Sequence, residues 1–251
     1  AAINRDWPTS KKAKSFLENI MKKYILENSN DAKRDFKEHK LFDKPVYVIN
    51  PLSDGVSLEA VLDHIEEKLP PSLTANFENI YIGAFDEFSE NGRALNALYK
   101  DGTIYVSNIQ DSESDMLDDI VHEIAHSLEE RNYEEIYGDD HLESEFLGKR
   151  KFLHHILPDN KRANMVYFLN PSYDQNFDMY LYKELGYDML RTLTSDLFYS
   201  PYAITALKEY WANGFENYFL QDRAKLKSLS PVLYQKIKNL VDNKKEERNG
   251  L

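Results

Sequence analysis

Apolar and polar positions along this chain repeat with two periods, helical in some stretches and strictly alternating in others, and the changes between them mark its elements. From Lys11 to Lys40 the residues are charged and helix-favouring, with Phe16, Ile20, Met21, Tyr24 and Ile25 at helical spacing, which predicts one or two amphipathic helices. Lys44 to Asn50 reads as a short strand, ended by Pro51 and the turn formers Ser53-Asp54-Gly55. Ser57 opens a helix through Leu69 with Leu58, Val61, Leu62 and Ile65 inward, and Pro70-Pro71 stops it. Phe77 to Gly83 reads as a second strand. Leu95–Tyr99 and Thr103–Ser107 flank Asp101-Gly102, a turn pair that predicts a hairpin. From Leu142 to Leu240 the pattern is mostly helical, broken near Pro158, Pro171 and Pro201, with a tail of mixed charge after Asp242. These periods predict an α+β fold with a small mixed sheet and a mostly helical C-terminal half.

Between the hairpin and the helical half lies Val121-His122-Glu123-Ile124-Ala125-His126-Ser127-Leu128, a His-Glu-x-x-His pattern inside a helical run. Side chains four apart share one face of a helix, so His122 and His126 are placed to hold one metal ion together. Glu123 is offset by one position, which sets its carboxylate beside the ion and within reach of a water molecule. Leu117, Ile120, Val121, Ile124, Ala125 and Leu128 supply an apolar stripe, and Asp115, Asp118 and Asp119 sit toward the helix start, where the macrodipole favours negative charge. That arrangement is what metal-assisted hydrolysis needs.

Composition narrows the chemistry. The chain has 251 residues, 42% of them hydrophobic, enough for a proper core, and no internal repeat, low-complexity segment or linker divides it, so a single domain is expected. No apolar run is long enough for a membrane span. A formal net charge of -12 argues against a nucleic-acid partner. The absence of cysteine leaves His, Asp, Glu and Tyr as metal ligands. The chain begins Ala1-Ala2-Ile3-Asn4 without methionine or an apolar signal segment, the look of a processed or trimmed chain, and its compartment is not readable from composition. The acidic run from Glu129 to Glu145 reads as a solvated face, with a bias of the cleft toward basic substrates as the alternative. His64, His141, His154 and His155 read as surface or structural residues.

A catalytic zinc takes three protein ligands and keeps one position for water. Two stretches compete to supply the third. One is Asp139-Asp140-His141-Leu142-Glu143-Ser144-Glu145, near enough in sequence for a following helix to return Glu143 or Glu145 in a thermolysin-like arrangement, although the Asn-Glu-x-x-Ser/Asp pattern of those enzymes is absent. The other is the amphipathic helix around Glu209-Tyr210-Trp211-Ala212, on which Glu209, Asn213 and Glu216 share a face.

This second stretch resembles the anthrax lethal factor-like zinc endopeptidases, which include the clostridial Pro-Pro endopeptidases, from about Tyr81 to Tyr234. The resemblance implies a zincin-like metallopeptidase in which His122, His126 and Glu209, the opening residue of a Glu-aromatic-aromatic-Ala segment, hold Zn²⁺. It also implies that Tyr202, seven residues before Glu209, points its hydroxyl at the site. The chain departs from the family at Asn213, where a second carboxylate is usual. Asn213 and Glu216 are the candidates for supporting the ligands, and Glu216 becomes a ligand if the helix register is shifted.

In the expected organisation, positions 1–75 form a helix-and-strand scaffold, 76–130 the sheet and motif helix, and 131–251 the helical half carrying the third ligand. Zinc peptidases commonly bind an extended substrate along a sheet edge before the motif helix, so Thr103, Ile104, Tyr105, Val106 and Ser107 are the expected substrate-binding edge strand. The expected partner is a protein or peptide substrate bound by a monomer, with no nucleic acid; the family resemblance favours secretion. The expected chemistry is zinc-dependent peptide hydrolysis with Glu123 as general base and Tyr202 as oxyanion donor. The alternatives are the thermolysin-like ligand set, and an inactive zinc-site protein acting as a toxin or virion binding component.

Overall fold

The computed structural model describes residues 39–86, 88 and 95–249. Lys40–Leu251 forms one compact unit. The helices expected between Lys11 and Lys40 lie outside the described residues, except for the last two positions, which are extended.

Five short strands form one mixed sheet: β1 (His39–Leu41), β2 (Lys44–Val48), β3 (Asn79–Gly83), β4 (Ala97–Lys100) and β5 (Thr103–Ser107), in the order β1-β2-β3-β5-β4. β2, β3 and β5 run parallel, with Val46 opposite Ile80 and Ile80 opposite Ile104. β4 returns antiparallel beside β5, with Tyr99 opposite Ile104. Asp101 and Gly102 make the turn with φ of 49° and 78°, the two left-handed positions that a tight two-residue hairpin loop requires. Alternation places Val46, Ile80, Ile82, Ile104 and Val106, all fully buried, on one face. Tyr47, Tyr81 and Tyr105 stack across the other face, with ring centroids 5.1 and 6.0 Å apart.

This topology corrects one expectation. Thr103 to Ser107 is not an edge, because β5 is paired on both sides, with β3 and with β4. A tight hairpin fixes that its two strands are neighbours but not which one turns outward; the parallel partner on the other side decides that.

Helix α1 (Leu58–Lys68) is capped by Ser57, whose Oγ accepts from the Ala60 N–H at 3.3 Å. Helix α2 (Glu113–Glu129) carries the histidines; Ser112 caps it, and Met116, Ile120, Val121 and Ile124 are fully buried on its inner side. The helical half follows as α3 (Tyr133–Tyr137), α4 (His141–Ile156), α5 (Met165–Leu169), α6 (Gln175–Met179), a π-helical segment (Tyr180–Leu185) and α7 (Tyr187–Thr194). A 3₁₀ turn (Tyr202–Ile204) then leads into α8 (Leu207–Leu220), α9 (Arg223–Leu229) and α10 (Pro231–Asn249). Among the described residues no helix is long and apolar enough to cross a membrane.

Two helices position the site. α2 and α8 pack antiparallel, and the fully buried Trp211 donates its indole N–H to the Ala125 carbonyl at 3.2 Å, pinning their register. α8 is held from behind by α10 and α4. The Glu145 carboxylate accepts from the Tyr210 hydroxyl (2.9 Å) and from the Val232 and Leu233 N–H groups (2.8 and 3.2 Å), so it closes the start of α10 over α8. Lys149 donates to the Leu197 and Leu229 carbonyls and to Ser230 Oγ, and burial lowers its pKa to about 8.

At Gly214 the approach of α8 to α10 is so close that a Cβ would lie 2.2 Å from Leu233 Cδ2 and 2.7 Å from its Cγ. A methyl group there must displace a buried leucine, at about 1–3 kcal/mol, which outweighs the gain of roughly 1 kcal/mol in helix propensity. Gly214→Ala is therefore expected to lower stability in urea melts by about 1 kcal/mol, and Leu233→Ala in the same chain should make the alanine at 214 nearly neutral. An unchanged midpoint for the single variant would contradict this packing.

Candidate metal centre

The antiparallel course of α2 and α8 brings residues far apart in sequence to one place. His122 Nε2 lies 3.1 Å from Glu209 Oε2, and His126 Nε2 lies 3.6 Å from the same oxygen. One ligand atom from each of His122, His126 and Glu209 falls within 4.8 Å of the others, and among the described residues these three form the group able to hold a metal ion. Donor atoms on a tetrahedral zinc with bonds of about 2.0–2.1 Å are separated by roughly 3.3 Å. The two measured separations bracket that value, so the donor set fits zinc in both chemistry and spacing.

Each histidine is also gripped from the far side of its ring. His126 Nδ1 faces Glu129 Oε1 at 2.6 Å, and His122 Nδ1 faces Glu216 Oε2 at 3.5 Å. A carboxylate at Nδ1 fixes the tautomer that leaves Nε2 free to bind metal. Glu216 thus lies against the far nitrogen of His122, outside the group of His122, His126 and Glu209, while Asn213 lines the same cleft, 8% exposed.

Glu129 is the functional residue that sequence reasoning missed: read as part of a solvated acidic run, it is 4% exposed. Its second oxygen lies 3.6 Å from the Lys208 ammonium, and burial followed by the Glu129 charge raises the pKa of the neighbouring Tyr137 hydroxyl. The spacing of 122, 126 and 129 on one helix face was the available signal.

Glu123, 7% exposed, accepts a hydrogen bond from the Tyr99 backbone N–H at 2.6 Å. Ser107 N–H donates to the Asn96 carbonyl, so in this ladder Leu98 and Lys100 turn their backbone groups to β5, and Ala97 and Tyr99 turn theirs to the open edge. The edge that borders the cleft is therefore β4. Tyr202 lines the cleft with its ring centroid 6.4 Å from that of His122. Glu143 and Glu145 lie on α4 outside the histidine cluster, with Glu145 committed to Tyr210 and α10. The cleft as a whole is about 1050 Å³, bounded by β4, α2, α8 and the segment around Tyr173.

Electrostatics follow from burial and this ring of carboxylates. Burial works against a charged His122, but the hydrogen bonds it donates to the Glu209 and Glu216 carboxylates outweigh it and hold its pKa up at about 9. His126 is likewise raised well above the usual value, against burial, chiefly by Glu129 and then Glu209. Glu209 is held well below the usual carboxylate range because both imidazoles outweigh its burial. For Glu123 burial wins, and its pKa is raised despite His126 and His122.

The chain matches no family model, no curated protein and no solved structure.

Metal binding needs neutral imidazoles. With His122 poised at about 9, the metal-free protein carries this proton at neutral pH and must lose it on loading. Zinc binding at about pH 7.5 is thus expected to release at least one proton per ion, read from calorimetry in buffers of different ionisation enthalpy, and to weaken as pH falls. Heats independent of buffer would contradict the carboxylate-held histidines. Glu209→Ala is expected to lose zinc, as measured by elemental analysis, while Glu145→Ala keeps it and loses stability instead.

Proposed function

We propose that this chain is a zinc-dependent endopeptidase of zincin type, similar to the lethal factor-like enzymes, acting on a protein or peptide bound in extended form. What carries this reading is the single Glu209 oxygen lying between the Nε2 atoms of two histidines one helical turn apart, at tetrahedral separations. His122, His126 and Glu209 would hold the ion, which when bound acidifies water and polarises the scissile carbonyl.

The other roles belong to the chain's own groups. Glu123 takes a proton from the attacking water and hands it to the leaving amine. Burial raises its pKa, which suits a group that must give the proton up again. Tyr202, across the cleft beside His122, donates its hydroxyl to the developing oxyanion, a contribution of about 3 kcal/mol for donors of this kind. The open edge of β4, with the outward backbone of Ala97 and Tyr99, takes the place first given to β5 and offers main-chain hydrogen bonds to an extended peptide. Substrate docking there competes with Glu123 for the Tyr99 N–H, which ties substrate entry to the freeing of the base.

The thermolysin-like ligand set loses support because Glu145 is engaged elsewhere. The inactive binding protein remains the rival from another class, and cleavage of casein or a peptide library, blocked by 1,10-phenanthroline, separates the two.

Glu123→Gln is expected to bind zinc as the parent does and to lose at least about 100-fold in turnover. Retained peptide hydrolysis by that variant would sink the assignment. Tyr202→Phe should lower kcat by about 100-fold with zinc content and KM little changed.

A further inference from the structure

The grip on His126 ends in an oxygen that closes no hydrogen bond. Glu129, the last residue of α2, sets its Oε1 against His126 Nδ1 at 2.6 Å. Its Oε2 is buried without a hydrogen-bond partner among the described residues, and the Lys208 ammonium, 3.6 Å away on a side chain 69% exposed, stands beyond donor reach. The terminal torsion of a glutamate is broad, so a carboxylate held at one oxygen swings, and the imidazole resting on it swings with it.

Tyr137 carries the matching group. It is the last residue of α3, 9% exposed, and its hydroxyl oxygen is likewise buried and closes no hydrogen bond in good geometry. What lies beside that hydroxyl is Glu129: after burial, the Glu129 charge and then the same carboxylate as a hydrogen-bond acceptor are the largest influences on it, ahead of Glu209 and Tyr133, and all of them raise its pKa. The hydroxyl therefore keeps its proton and can donate it, whereas an ionised carboxylate only accepts. A buried donor and a buried acceptor left open are each costly, and one hydrogen bond between them satisfies both.

The surroundings suit Tyr137 to hold another residue and not to meet a substrate. Among the described residues the cleft is lined by Glu129 and Tyr133 but not by Tyr137. The segment that carries Tyr137 is anchored on both sides, because Lys236 Nζ on α10 donates to the Glu135 carbonyl at 2.7 Å and to Asp139 at 2.8 Å. The turn leading into α3 is fixed as well, by the Asn132 side-chain amide donating to the Leu128 carbonyl at 2.6 Å. A hydroxyl on so firm a support can hold a carboxylate still.

We propose that Tyr137 is a positioning residue of the metal centre: its hydroxyl donates to Glu129 Oε2, fixes that carboxylate, and through it sets the ring of His126 toward the ion. The proposal rests on the reading of His122, His126 and Glu209 as metal ligands and is independent of the reaction the metal serves. Partners of this kind behind a ligand carry part of the metal affinity although they never touch the ion.

The test compares the parent chain with Tyr137→Phe, Glu129→Ala and the double variant. Zinc affinity is read by competition with a chromophoric chelator, ligand geometry by the visible spectrum of the cobalt-loaded protein, and stability by the melting temperature of the metal-free protein. Tyr137→Phe is expected to weaken zinc binding about tenfold and to shift the cobalt bands, and to have no further effect once Glu129 is alanine. A hydroxyl with a purely structural part, or none, changes the melting temperature alone; unchanged zinc affinity and cobalt spectrum would overturn the proposal and leave the metal centre standing. An equal loss with and without Glu129 would overturn it too, since the hydroxyl would not be acting through that carboxylate. Failure of the parent chain to bind either ion would overturn the metal reading and this role with it. Should Tyr137→Phe not fold, the hydroxyl proton of Tyr137 in the parent decides by magnetic resonance: a slowly exchanging signal displaced by Glu129→Ala supports the bond, and its absence overturns it.

Discussion

The structure depends on one half-buried carboxylate. Glu209, mostly withdrawn from water, sits against two imidazoles at the crossing of α2 and α8, and a charge in that position is stable only while its partners stay in place. Most of what surrounds it keeps those partners there. Trp211 fixes the sliding register of the two helices through Ala125, Gly214 lets α10 press α8 from behind, and Glu145 joins Tyr210, the neighbour of Glu209, to the start of α10. A slip of α8 by one residue would turn Glu209 about 100° away from the histidines.

Around that centre the chain has built a second ring of acid. Glu129 and Glu216 each grip a histidine from behind, and Asp118 and Asp119 extend the negative wall along α2. These carboxylates hold both imidazole pKa values up against the pull of burial, and Glu129 and Glu216 fix the ring orientations from the Nδ1 side. The excess of acidic residues in the composition is in this way partly concentrated in the cleft, where it sets the charge around the two histidines.

How much of this was legible in the sequence varies by residue. The helix from Ser57, the Asp-Gly hairpin and the motif helix are local decisions, set by caps, turn residues and apolar spacing, and for the first two the expected and observed boundaries agree closely. The juxtaposition of His122 and His126 is equally local, since one helical turn guarantees it. Glu129 was hidden by its company: acidic composition suggests solvent, while its place on the histidine face decides burial. β5 was misplaced because pairing on its second side comes from β3, a partner that the hairpin pattern does not name.

By itself, then, the sequence determined the elements with short-range causes: which segments coil or extend, where they stop, and which two imidazoles stand together. Only the tertiary structure decided which late glutamate meets them, which strand is left with an open edge, and which of many acidic side chains point inward. The first of these is a contact between segments some eighty to ninety positions apart, as from His122 to Glu209, and the second a pairing between strands that are not consecutive in the sequence. They depend on the relative placement of helices, which arises from packing of the whole core and not from any window of residues.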